Sequence, residues 1–270
     1  MPNREPPSPY LAALIAEAHL WLRAVGNRVI EGRHCRFVVN ADIPDVWVAN
    51  HVQHPRAAAA SEFDELFAEM DRVFAHCTHR MVMTDGFTPA GLEARLLADG
   101  FRELDTTIQM ALTRELPKAA TPPMDLIEVR RKEDWATLLR LMLADHAEGR
   151  RTNHMSVPEH VTRDMIFGLQ RKSAHMTLFL ARLAGECVAY GAEVRCANGL
   201  GMIEDLFTLP SARARGIASA LISFIVGRLR ADDPSRSIFL GAHASEGAKH
   251  LYRRLGFEPI IVTREFLSEP

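Results

Sequence analysis

Much that would settle a function quickly is missing from this chain of 270 residues. Its four cysteines (Cys35, Cys77, Cys187 and Cys196) form no Cys-x-x-Cys pair and are too sparse for a disulfide framework. That excludes a dithiol redox centre and a stapled secreted scaffold, and makes a reduced, cytoplasmic compartment the simplest reading. Positive charge is not in excess: 32 Lys and Arg against 34 Asp and Glu leave a formal charge of −2, which argues against a general nucleic-acid or membrane-surface binder. No apolar run approaches the ~20 residues of a membrane span, and MPNREPPSPY carries charge and proline where a signal peptide needs an apolar core. Neither His76 with His79 nor His154 with His160 sits in a His-Glu-x-x-His pattern, so no metal is expected. Between Gly32 and Gly86 there is no glycine at all.

What is present reads as an ordinary globular protein, 47% hydrophobic and 24% charged, long enough for two domains. Apolar periodicity predicts helices over 9–25 and 57–75, strands over 29–39, 46–52, 80–84 and 106–112, and a helix over 88–99 with Thr88 as its cap. The proline-rich stretch ELPKAATPPM marks a linker, placed at 117–124, between a domain over 1–116 and another over 125–270. In the second domain, strand, two helices (133–146 and 159–171), a hairpin about Ala184-Gly185-Glu186 and further strands near 202–208, 237–242 and 260–266 predict a mixed α/β sheet.

The chain is organised around IEDLFTLPSARARGIASA, residues 203–220. A β-prone run ends at Pro210, and an amphipathic helix begins after Gly216. The first amides of a helix have no intrahelical partner and carry the positive end of its dipole, so this strand–loop–helix is an anion site suited to a diphosphate. Gly216 lets a ligand approach the backbone, Ala218 keeps the first turn shallow, and Arg213 and Arg215 bring charge.

Arg213-x-x-Gly216-x-Ala218 after a strand resembles the pyrophosphate loop of the GCN5-related N-acetyltransferases, the GNAT family. About thirty residues on, Ser245-x-x-Ala248-x-x-Leu251-Tyr252-x-x-x-Gly256-Phe257 is similar to the family's second signature, with serine in place of asparagine. The resemblance spans about 125–266. It implies the GNAT acyl-CoA N-acyltransferase fold and acetyl-CoA as co-substrate, with Leu206, Phe207 and Thr208 lining the pantetheine arm. The backbone from Arg213 through Ala214, Arg215, Gly216, Ile217 and Ala218 to Ser219 would hold the diphosphate. Ser245 would bond the cofactor or cap its helix, and Tyr252 would protonate the departing thiolate.

The acceptor would be a primary amine on a small molecule or peptide, with a homodimer allowed and no nucleic acid or membrane partner. As base, Glu204 stands two residues before Leu206 and hence on its face in a regular strand; Asp205, Glu193 and His243 are further candidates. Asn153 and His154 lie where the family builds its acceptor pocket. Aligning Gly100-Phe101 with Gly256-Phe257 sets Leu96 against Tyr252, so the first half reads as a degenerate GNAT-like copy that lacks the loop glycine and the acid. A non-catalytic CoA-binding module and a GNAT-like structural protein stand as alternatives to the enzyme.

Overall fold

The computed structural model describes residues 8–117, 122–148 and 157–269. In the first half, α1 (Pro9–Ala24) leads into β1 (Arg28–Glu31), β2 (Arg36–Val39) and β3 (His51–Gln53). Then come α2 (Ala60–Val73), β4 (Arg80–Thr84), α3 (Ala90–Ala98) and the long β5 (Arg102–Leu112). The second half runs β6 (Met124–Glu128), α4 (Lys132–Glu148), α5 (Glu159–Arg171), β7 (Met176–Leu183), β8 (Glu186–Arg195) and β9 (Gly201–Thr208). It ends with α6 (Ile217–Arg230), β10 (Ile238–His243), α7 (Ala248–Leu255) and β11 (Phe257–Ser268).

Three local expectations are corrected. The run 29–39 is a hairpin, not one strand, because the chain turns between β1 and β2. The β-prone run 46–52 is largely a turn: Trp47–Ala49 forms a 3-10 helix and only its end joins β3. Buried Asn50 is the cause, since its amide donates to Ile43 O (3.0 Å) and Val46 O (3.3 Å) and accepts from the Asn40 N–H (2.8 Å). These side-chain bonds offer the backbone an alternative to a ladder. Thr88 does not cap α3; Pro89 does, while the Thr88 hydroxyl accepts the Asp85 N–H at 3.1 Å.

The eleven strands among the described residues belong to one sheet, in the order β1-β2-β3-β4-β11-β5-β10-β9-β8-β7-β6. The last strand of each half is built into the other half. β11 runs antiparallel to β5 from Phe257 opposite Leu112 to Leu267 opposite Arg102, and pairs on its other edge with β4. β5 in turn pairs with β10, His243 opposite Thr107. The two halves enter this exchange alike: a helix closes on a left-handed glycine (Gly100, φ 86°; Gly256, φ 102°), and the buried phenylalanine after it stands just before the long strand (Phe101) or begins it (Phe257).

The two faces of the second half carry separate cores. Ile15, Ala18 and Leu22 of α1 pack with Leu138, Ile166, Met202 and Phe239 on one face. Leu221, Ile225, Tyr252 and Leu255 of α6 and α7 pack with Ile203, Leu240 and Ala242 on the other. A helix of the first half thus covers a face of the second.

Removing residues 1–117 should therefore leave β10 and β11 without the strand between them. The second half produced alone is expected to be insoluble, and co-expression with 1–117 to restore a soluble complex; circular dichroism and size-exclusion chromatography of the two preparations check this.

Candidate active site

β9 and β10 are parallel neighbours only from Gly201/Ile238 to Ile203/Leu240. Beyond those pairs they part, while β9 stays registered to β8 as far as Thr208 opposite Ala189. The gap opens at a bulge. Asp205 takes φ of 52°, and three residue steps on β9 (Glu204 to Phe207) match two on β8 (Ala192 to Tyr190). The extra residue turns the strand over. Leu206 packs with the core under α6 and α7, whereas Glu204 meets Arg23 of α1 on the opposite face, Nη1 to Oε1 2.6 Å.

Downstream of the gap the chain forms a cradle. After a 3-10 turn at Pro210–Ala212, Ala214 (φ 61°) and Gly216 (φ 79°) both adopt left-handed backbone. The first helical bond of α6 runs from Ala220 N–H to Gly216 O at 3.0 Å, so the amides of Ile217, Ala218 and Ser219 have no intrahelical acceptor. Left-handed residues in such a turn, followed by the open amides of a helix start, favour an anion.

A cleft of about 560 Å³ lies across the gap, walled by both halves. Tyr252 enters from α7, its ring edge-on to Phe257 at 6.4 Å. On the opposite face β5, β10 and β11 bring Asp105, His243 and Glu265. Asp105 Oδ1 stands 2.7 Å from His243 Nδ1, and its Oδ2 accepts the Thr107 hydroxyl at 2.6 Å. Burial works against the Asp105 charge, but the contact with His243 prevails and holds the carboxyl below its usual range. Glu265 is directly opposite Asp105 across the β11–β5 ladder. Burial and then the Asp105 charge push it up to about 7, as two neighbouring carboxylates resist sharing a site while both ionised.

Beside them, burial lowers the Lys172 ammonium to about 8, with Arg23 adding to the effect. Burial also works against the Arg23 charge, yet Glu204 keeps that guanidinium above its usual range.

Residues 146–268 match the sequence model of the acetyltransferase (GNAT) domain. This part of the chain is a GNAT domain. A GCN5-related N-acetyltransferase from Kribbella flavida superposes with a TM-score of 0.67 at 20% identity, over 96% of each chain. One from Sphaerobacter thermophilus gives 0.60 at 19%, over 97% of this chain and 92% of that one. A tandem GNAT protein from the clavulanic acid biosynthesis pathway gives 0.59 at 13%, over 95% of each. At such identities the likeness is one of fold. No curated protein matches the chain. Among the described residues no helix is long and apolar enough to cross a membrane, and no three His, Cys, Asp or Glu side chains gather as metal ligands.

The GNAT domain brings several expected residues together and separates others. Leu206, Asp205, Glu204, His243 and Tyr252 all line the cleft. The shared face assumed for Glu204 and Leu206 is corrected by the bulge between them. Arg213 does not offer its charge to the cradle: it donates to Glu148 through both terminal nitrogens and to Thr208 O through Nε. Arg215 is exposed beside Gly216. Ser245 caps nothing, because Gly247 is the N-cap of α7. Glu193 is buried against Arg195 and Arg228 and does not line the cleft. His76 and His79 both bond Asn50. Asn153 and His154 lie outside the described residues.

Arg23, Asp105, Lys172 and Glu265 escaped the sequence reading. Each lies outside both signatures: the strand exchange brings Asp105 and Glu265 to the cleft, the packing of α1 brings Arg23, and the end of α5 brings Lys172.

Glu265 supplies a prediction. Its raised folded-state value means that the native state loses stability as pH rises from the unfolded carboxyl range through 7, where ionisation in the cleft is resisted. Glu265→Gln abolishes that loss. Its melting temperature should equal that of the wild type near pH 4.5 and exceed it above pH 7, by differential scanning calorimetry across this range.

Proposed function

We propose that the protein transfers an acyl group, acetyl in the simplest case, from acyl-CoA to a primary amine by direct attack within a ternary complex. The observation that carries this reading is the parting of β9 from β10 beyond Ile203/Leu240, in a chain that runs on from β9 to the open amides at the start of α6. The diphosphate would rest on the backbone from Ala214 to Ser219, with Arg215 at its edge. The pantetheine arm would then follow Leu206, Phe207 and Thr208 into the gap, its thioester near the bulge.

Tyr252, which lines the cleft, would give its phenolic proton to the departing thiolate. The amine attacks the thioester carbonyl, the C–N bond forms, the C–S bond breaks, and Tyr252 recovers a proton from the new amide nitrogen. Glu204, the base suggested by strand alternation, is assigned instead to holding Arg23 in the cleft wall. The acceptor would reach the gap from the α1 face, opposite Tyr252, as a small molecule or the end of a peptide.

The first half supports this site without repeating it. At the start of α2, the helix that corresponds to α6 by its place in the sheet, Glu62 accepts the N–H groups of Ala58 (2.7 Å) and Ala59 (3.0 Å). A carboxylate of the chain itself thus ties down the two amides just before α2 and brings negative charge to its first turn.

Calorimetric titration of acetyl-CoA tests the cofactor. Micromolar binding is expected in the wild type and at least a tenfold loss in Gly216→Glu. Because Gly216 is left-handed, Arg215→Glu on the exposed loop serves as a second variant free of backbone strain. No binding to the wild type overturns the reading. With cofactor bound, Tyr252→Phe should lower turnover about a hundredfold, the usual scale for a lost general acid, with the acetyl-CoA Kd unchanged.

A further inference from the structure

We propose that His243, held by Asp105 from the first half, is the base that takes the proton from the acceptor's ammonium group. The inference rests on the acyl-transfer reading and deepens it. His243 closes β10, past the last pair that ties this strand to β9, and lines the cleft. Along β10, Phe239 faces α1 while Ile238, Leu240 and Ala242 face α6 and α7, so His243 shares the Phe239 face by strand alternation. Tyr252 lies on the other side. Acid and base thus approach the gap from opposite faces of the sheet.

Two of the other candidates are already paired. Glu204 is occupied by Arg23 at 2.6 Å, and Glu193 by two arginines away from the cleft. Asp105 is a carboxylate and can only accept, so the proton on its 2.7 Å neighbour belongs to Nδ1. The second nitrogen, Nε2, then carries the lone pair. The Thr107 hydroxyl fixes Asp105, and the reluctance of Glu265 to ionise beside it keeps the negative charge on the carboxylate that touches the ring. Glu246, Tyr252, Asp205, Arg23 and Lys172 also line the cleft. Nε2 takes one proton from R–NH3+, leaving R–NH2 to attack the thioester, and passes it to water. One proton is released per turnover, as the overall reaction requires. Asp105 is a positioning residue; it comes from a strand outside the GNAT domain's own sequence range.

The test uses full-length protein, acetyl-CoA, and two amines at pH 7.5: benzylamine, an ammonium, and hydroxylamine, already neutral. His243→Ala should lower kcat for benzylamine about a hundredfold, leave hydroxylamine turnover within threefold, and recover with added imidazole. Asp105→Asn should reproduce the split in weaker form. Long-range 1H–15N correlation on wild type should show the His243 tautomer protonated at Nδ1, lost in Asp105→Asn. Equal loss for both amines, unchanged benzylamine turnover in His243→Ala, or an Nε2–H tautomer overturns the proposal. Calorimetry with acetyl-CoA separates the two readings: wild type that binds cofactor while His243→Ala keeps full turnover refutes the base alone. Wild type that acylates neither amine overturns the base together with the acyl-transfer reading.

Discussion

The backbone ladder between β5 and β11 is the interaction on which the rest depends. A strand buried in a sheet must find partners for its N–H and C=O groups on both edges. Without β5, β10 would end the second half on its unpaired side; without β11, β4 would do the same for the first. Each half therefore lacks an interior strand that the other supplies. The same ladder sets Asp105 opposite Glu265 and, one strand on, within reach of His243, so stability and the polar face of the cleft share one origin.

Between the two halves the same local problem has two solutions. A helix start presents amides in need of an acceptor. In α2 Glu62 reaches back from the first turn to the two amides that precede the helix, and its carboxyl falls below the usual range because it takes the Ala58 and Ala59 hydrogens. In α6 no such carboxylate stands at the third helical position: the chain has Ser219 there, and a left-handed glycine before it. An anion from outside would meet a like charge at the start of α2 and none from the third position of α6.

Elements governed by local rules were legible in the sequence. The strand–loop–helix around Gly216, the tight hairpin at Ala184-Gly185 and helix α5 are written in glycine placement and apolar spacing. Features set by distant partners were not. Nothing in 203–208 announces a bulge, since Asp205 rather than glycine takes the positive φ, and one inserted residue was enough to part Glu204 from Leu206. Asn50 turned a β-prone run into a 3-10 helix through bonds visible only after folding. Arg213 matched a motif, but its neighbour across the fold, Glu148, claimed its charge. The expected linker at 117–124 falls partly outside the described residues, its last residue already belongs to β6, and the sheet's hydrogen bonds join strands from before and after it.

The position of β11 also has a bearing on how the chain is made. Residues 257–268 are synthesised long after 80–84 and 102–112, between which they must be seated. During elongation β4 and β5 therefore emerge without the strand that joins them, and their open edges wait for most of the second half. Zipping β11 into place completes both halves in one event, so neither can mature on the ribosome ahead of the other. The molecule acquires its shape and its cleft together, late, as a single cooperative unit.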